Sequence, residues 1–308
     1  MKTGALIVTI GLPRVSGVTA LLSEVGLISA GQRMISAFQR AGVSLVGLVV
    51  GPENRKAERQ FAQNGVVFLH CEADTNFFQG IQAGLSFMRD KFDRVFVVPG
   101  DMPLFLPITA EKLLNSSANI AIPERNHISG YPVLLDHAAM ELLLTANSQN
   151  DAKEIIDKSN LQVESVSVED SGILIYGTDM SHREQLIQRH SSQLSRPITE
   201  VSIGNGTALF DPKLSMLLRT IDDTKSVQAA CNLMQMSYSM AWKMLNHVEN
   251  ELGFPLVVRN RGGASGKGTL LTEKGRAFME AYNSFSDALN HAAQELYRDM
   301  FQDFSEFN

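Results

Sequence analysis

The sequence predicts an α/β protein in two parts: a doubly wound, mostly parallel sheet, then a winged helix-turn-helix domain that ends in a long helix. Three observations carry this. Short, almost wholly apolar runs alternate with helix-period segments through the first half, as expected of parallel strands covered on both faces. The pattern breaks at His190–Pro197 (HSSQLSRP), which is polar, aperiodic and closed by proline, as a linker would be. Helical segments joined by very short turns then lead into a strand, a basic glycine-rich loop and a second strand. A length of 308 residues suits two domains, here 1–189 and 198–308 around a linker at 190–197.

The elements follow in order. Ala5–Ile10 reads as a buried strand. Ser29–Ala41 has apolar residues at helical spacing and stops at Gly42, a C-cap residue. Val43–Val50 is a second buried strand and Arg55–Asn64 a helix. Val66–Leu69 is strand-like, Phe77–Arg89 helical, and Arg94–Val98 a strand that stops at Pro99-Gly100. Sheets of this kind bind ligands at the carboxyl ends of their strands, where the strand order reverses. The loops after Ile10 and Val98 are therefore where chemistry is expected.

In the second part a hairpin is expected around Gly204-Asn205-Gly206. Lys213–Ile221 is an amphipathic helix. Ser226–Met234 starts on an N-cap serine and turns Val227, Ala230 and Leu233 inward. After the tight turn Gln235-Met236, the helix Ser237–Leu252 buries Ala241, Met244, Leu245, Val248 and Leu252, with Trp242 beside that stripe. Ser237, Tyr238, Ser239, Lys243 and Asn246 are left for the opposite side. Phe254–Val258 and Gly268–Leu271 pair around a loop that carries Arg259, Arg261 and Lys267 and no acid. Residues at the start of the second helix of such a pair enter the major groove of a duplex, and wing cations reach phosphates or the adjacent minor groove. Double-stranded DNA is the partner expected from these residues. An overall charge of −6 does not oppose it, because what counts is the charge of one face.

Composition sets further bounds. Hydrophobic residues make up 44% and charged residues 19%, enough apolar content for real cores. The two cysteines, Cys71 and Cys231, lack metal-site or redox spacing and suit a reducing compartment. The apolar run near the N-terminus is short, is broken by Thr9 and Gly11, and lacks a small-residue cleavage site, so it reads as a strand and not a signal peptide. No run approaches the roughly 18–20 apolar residues that span a bilayer. A cytoplasmic protein without a membrane partner is expected.

The segment SVQAACNLMQMSYSMAWKMLNHVENELGFPLVVRNRGGASGKGTLLTEKG carries a resemblance. From about Ile198 to Leu289 the chain resembles the N-terminal region of molybdate-responsive ModE-type regulators, relatives of the LysR-type winged helix. The resemblance implies a DNA-binding regulator that forms a homodimer through Thr272–Asp299. In that family a molybdate-binding module follows the long helix; here the chain stops soon after it, which leaves open whether molybdate itself is sensed.

The first part resembles, from about Ala5 to Leu186, the MobA-like nucleotidyltransferases that make guanine or cytosine dinucleotide forms of the molybdenum cofactor. Gly100-Asp101-Met102-Pro103-Leu104 matches a metal-binding segment, Ser129-Gly130-Tyr131-Pro132-Val133 a G-H/Y-P-V segment, and Thr75–Gly80 with Ala83–Leu85 a segment near the base. Ser171–Ile175 stands in the place of the family's last strand. The resemblance implies a nucleotide-diphospho-sugar-transferase-like sheet. It places a nucleotide against Gly11, Arg14, Asn76, Gly130 and Pro132, and Mg²⁺ on Asp101. The chain departs from the family where Thr19 replaces the expected phosphate-loop lysine, Pro13 removes a backbone donor, and Tyr176–Met180 replaces an I-D-T-P segment, so that Asp179 fits only with a shift of one residue. Two readings follow: a domain that binds a nucleotide or molybdopterin-type ligand without catalysis, or a working Mg²⁺-dependent transferase that releases pyrophosphate. Asp101 also has a plain alternative, since an acid at a Gly-Asp turn can simply cap the next loop.

Overall fold

The computed structural model of the chain describes residues 2–12, 20–52, 60–62, 65–147, 152–177, 183–194, 197–261 and 267–305. The chain divides into two compact units between Ser195 and Arg196.

The first unit is built on one sheet. Its strands are β1 (Thr3–Val8), β4 (Leu45–Val50), β5 (Val66–His70), β6 (Arg94–Pro99), β7 (Ile120–Arg125), β8 (Ile128–Ser129), β9 (Val133–Asp136) and β10 (Val163–Ser167); β2 (Glu24–Val25) and β3 (Ile28–Ser29) form a separate small hairpin. The order is β10-β7-β9-β6-β1-β4-β5, with β8 on β7. β1 pairs in parallel with both β4 and β6, and β4 with β5. All six residues of β1, β4 and β6 are buried, which is why these strands read as continuous apolar runs instead of alternating. The order reverses between β1 and β6. One strand, β9, runs antiparallel to β6 and β7. It is four residues long, too short to carry a period of its own.

Helices α1 (Ala30–Arg40), α2 (Phe77–Met88), α3 (Pro107–Leu114), α4 (His137–Thr145), α5 (Ala152–Asp157) and α6 (Glu184–Leu194) complete the unit. Ser29 caps α1 through its side chain, and Asn76 caps α2. The helix expected over Arg55–Asn64 lies largely outside the described residues.

Two expectations are corrected here. The linker reading of 190–197 fails for its first half. α6 continues to Leu194, His190 on it is fully buried, and Ser191 accepts from the buried Arg33 at 3.1 Å. Polar residues looked like linker because they serve a buried polar cluster. The last strand expected at Ser171–Ile175 is instead a 3₁₀ turn over Ser171–Leu174. The Asp170 carboxylate accepts from Leu106 N (2.6 Å), Thr109 Oγ1 (2.7 Å) and Gly172 N (2.8 Å), and that bends the chain.

The second unit opens with a short hairpin, β11 (Ile203–Gly204) and β12 (Ala208–Phe210). It continues through α7 (Pro212–Thr224), α8 (Val227–Leu233), α9 (Tyr238–Leu252), β13 (Val257–Arg261), β14 (Lys267–Leu271) and α10 (Glu273–Ser305). Its core gathers Phe210, Leu214, Leu217, Leu218, Ile221, Ala230, Ala241, Leu245 and Val248 with Leu256, Met279 and Tyr282. Gly253, with φ +73°, closes α9 in the left-handed conformation.

Candidate functional site

The carboxyl ends of β1 and β6 border the point where the strand order reverses, and the chain there is tied down by short bonds. Thr9 donates to the Val49 carbonyl through both its N–H (3.0 Å) and its hydroxyl (2.8 Å). Gly100 N–H donates to the Val8 carbonyl at 2.8 Å. The loop holding Gly11 (φ +73°) therefore lies beside the one holding Asp101. Gly11 also faces the first turn of α2, where an added Cβ would sit 3.4 Å from Phe77 N.

Asp101 is 7% exposed, and its Oδ1 has no hydrogen-bond partner. Burial raises its pKa above the usual carboxylate range, against the opposing pull of its own backbone N–H. Leaving such an oxygen unmet costs on the order of 1–3 kcal/mol, so a purely structural cap is a poor account of it. Tyr176 belongs to the same neighbourhood: its hydroxyl pKa is raised by burial and by the charge of Asp101. The sequence reading passed over Tyr176 because it stands where an acid was expected.

Gly130–Pro132 packs against the 3₁₀ turn. Tyr131 N–H donates to Ile173 O at 3.1 Å, and the Tyr131–Pro132 peptide is cis. A Cβ on Gly130 would lie 2.3 Å from the Ile173 carbonyl oxygen, so only glycine fits that approach. Asn76 sits differently from the expectation. Its side chain accepts from Gln79 N at 2.9 Å while Gln79 Oε1 accepts from Asn76 N at 2.8 Å, a reciprocal capping box. That bond, by itself, gives asparagine a structural reason to be there. Arg14, Thr19 and Asp179 lie outside the described residues.

Asp101 Oδ1 is one oxygen suited to a divalent cation, and no group of three or more His, Cys, Asp or Glu side chains gathers among the described residues. Among the described residues Asp101 thus offers one carboxylate to a cation, and Asp179 lies outside them.

In the second unit, α9 exposes Ser237, Tyr238, Ser239, Lys243 and Asn246, as expected. Ser239, Lys243 and Asn246 recur at i, i+4 and i+7 opposite the buried Ala241, Leu245 and Val248. Tyr238 is 45% exposed and meets Trp242 edge-on, with ring centroids 6.2 Å apart. Trp242 packs partly against the core, in line with its place beside the stripe. Ser237 has a first duty as N-cap, accepting from Met240 N at 3.2 Å. Met240 was missed; it is 45% exposed in the first turn, although methionine in a helix reads as core.

The hairpin β13–β14 is fixed at its base from two sides. Glu249 Oε1, on α9, accepts from Leu256 N (2.7 Å) and Val257 N (3.0 Å). Lys225 O, in the left-handed turn between α7 and α8, accepts from Thr269 N at 2.8 Å. Gly268 allows this approach, since a Cβ there would lie 2.9 Å from that carbonyl oxygen. Arg261 pairs with Lys267 and Arg259 with Thr269 in the register. Arg259 and Arg261 thus stand on β13 and Lys267 on β14.

Known proteins match both units. The family described as a MobA-like NTP transferase domain matches residues 17–165, and the lysR family of bacterial regulatory helix-turn-helix proteins matches 214–276. The chain thus joins a segment similar to a MobA-like NTP transferase domain to one similar to a LysR-type helix-turn-helix. The molybdenum transport protein ModE of Azotobacter vinelandii is 35% identical over 95 residues, 30% of this chain and 35% of that protein. The transcriptional regulator ModE of Haemophilus influenzae is 35% identical over 86 residues, 28% of this chain and 34% of that protein. The chain thus spans about a third of the length of these curated relatives. The first unit shares its fold with Rv0371c from Mycobacterium tuberculosis H37Rv, with TM-score 0.53 and 14% identity over 60% of this chain and 98% of that one. It also shares it with a nucleotidyl transferase from Methanothermobacter thermautotroptrophicus, with TM-score 0.51 and 13% identity over 62% and 98%. Among the described residues, no helix of either domain is long and apolar enough to cross a membrane.

Proposed function

We propose that the chain is a DNA-binding transcription regulator linked to molybdenum metabolism. Its transferase-like domain binds a nucleotide or a molybdopterin-type ligand and does not turn it over. The observation that carries the DNA-binding reading is the pairing of an exposed recognition-helix face with a hairpin bolted to the same helix by Glu249. Ser239, Lys243 and Asn246 would meet base edges, while Arg259, Arg261 and Lys267 displace counterions from phosphates. The ModE names of the relatives support the link to molybdenum.

The active species is a homodimer. Phe285, Leu289, Leu296 and Met300 on α10 are 39–68% exposed and recur at spacings of four, seven and four, a coiled-coil-like stripe in search of a second copy. A ligand in the crevice alters regulation only if it prefers one dimer arrangement to another.

Duplex binding measured against salt tests the reading. Arg261→Ala with Lys267→Ala is expected to lower affinity for any duplex and to reduce the slope of log K against log salt by about two for each protomer bound. Unchanged affinity and slope would remove the wing from the account. The transferase reading is favoured by one observation, the unmet Asp101 Oδ1. Incubation with CTP or GTP, Mg²⁺ and molybdopterin tests it. Pyrophosphate release that disappears in a folded Asp101→Ala variant would establish turnover.

A further inference from the structure

The first turn of α9 ends in an apolar side chain that the core does not take up. Met240 is 45% exposed, whereas Met244 on the same helix packs against the core. Met240, Lys243 and His247, all exposed, follow at i, i+3 and i+7, so Met240 stands one turn ahead of the cation Lys243. Side chains of a helix lean toward its N-terminus. Met240 therefore reaches toward the end by which such a helix meets base edges in the major groove.

The other groups of that turn are partly committed to the helix itself. Ser237 Oγ accepts from Met240 N at 3.2 Å and lies 3.3 Å from Ser239 Oγ. Tyr238 meets the ring of Trp242 edge-on, with centroids 6.2 Å apart. From Ser237 to Met240 there is no Arg, Lys, Asn or Gln, the side chains that read guanine or adenine through paired hydrogen bonds. The apolar feature of a base edge in the major groove is the C5 methyl of thymine. An exposed, unbranched thioether chain adapts its shape to such a group and gains by leaving water.

We propose that Met240 is a specificity-determining residue, which selects thymine in the bound duplex by packing on its C5 methyl group. The inference rests on the DNA-binding reading and deepens it by naming the base and the side chain that reads it. The helix that carries Met240 lies within the residues matched by the lysR helix-turn-helix family.

The test uses the full chain. Wild type is first used to select from a pool of random-sequence duplexes. The selected duplex is then remade with deoxyuridine in place of one thymine at a time, which removes only the C5 methyl, and affinities are compared at one salt concentration. At least one replacement is expected to weaken wild-type binding about fourfold, the loss of one buried methyl. Met240→Ala is expected to bind the thymine and uracil duplexes equally. Met240→Leu, apolar and of similar size, is expected to keep part of the discrimination. Lys243→Ala, which loses a cation and keeps Met240, is expected to bind both duplexes more weakly with the ratio preserved. Indifference of wild type to every thymine-to-uracil change, or a ratio that survives in Met240→Ala, would overturn the inference and leave DNA binding standing. A chain that binds no duplex of any sequence would overturn the DNA-binding reading, and this inference with it.

Discussion

The residue with the sharpest pH dependence is His190. Its Nδ1 receives Arg33 Nη1 at 3.1 Å, so the ring is neutral with its proton on Nε2. Arg33 is 1% exposed and otherwise reaches Val25 O (2.6 Å) and Ser191 Oγ, all neutral acceptors. Burial first, and the Arg33 charge second, lower the His190 pKa to about 3. An unfolded histidine titrates near 6.5, so the unfolded chain binds the extra proton across the interval between. Stability of the first unit is therefore complete above about pH 6.5 and is lost toward pH 3, with a slope from this residue of about 1.4 kcal/mol per pH unit. Denaturant titrations from pH 7 to 4 should show that slope, and His190→Gln should flatten it. An unchanged slope in the variant would mean that the proton goes elsewhere. Nothing in HSSQLSRP discloses this, because the period of a helix cannot show that its polar residue meets a buried arginine 157 positions away.

At the scale of elements, α7 and α10 are joined across the second unit by Asp222 and Arg276. Nη1 donates to Oδ2 at 2.5 Å and Nη2 to Oδ1 at 2.7 Å, a bidentate pair. The Arg276 hydrogen bonds, with Lys225 adding to them, hold the Asp222 carboxyl below the usual carboxylate range. Its stabilisation is therefore present above the unfolded value near pH 4 and disappears as pH falls through the lower folded value. The Arg276 side chain is 45% exposed, so solvent screens the pair. Arg276→Ala is expected to cost about 1 kcal/mol or less at neutral pH, with the difference from wild type shrinking in acid; thermal melts at pH 7 and pH 3 check both points. The elements of this unit were legible beforehand because their signals are local. Ser226 and Ser237 are caps, Gly253 is a stop, and Ala241, Leu245 and Val248 repeat at helical spacing. The ties that aim the hairpin, from Glu249 and from the Lys225 carbonyl, were not legible, because each depends on a partner outside its own element.

For the molecule as a whole, the apolar stripe on α10 leads to a prediction about assembly. Leu296 and Met300 are 55% and 68% exposed, an unfavourable place for such side chains in a lone helix. Leu296→Glu with Met300→Glu is expected to convert a dimer to a monomer in size-exclusion chromatography with light scattering. Affinity for a two-half-site duplex should fall with it, while single-site binding changes little. A dimer that survives both substitutions would place the interface on another surface.

The sequence by itself determined the two-part architecture, the parallel strands and the helix-turn-helix with its wing, because apolar period, caps and glycine stops act over a few residues. It also singled out Asp101 and the basic hairpin. Tertiary structure alone decided what those residues face. It left the Asp101 oxygen unmet, committed Asn76 to a cap, turned Ser171–Leu174 from a strand into a bend, and drew 190–194 into the first unit. The physical reason is common to all of them. Desolvation and hydrogen-bond satisfaction depend on neighbours that are distant in sequence, and no local pattern encodes them.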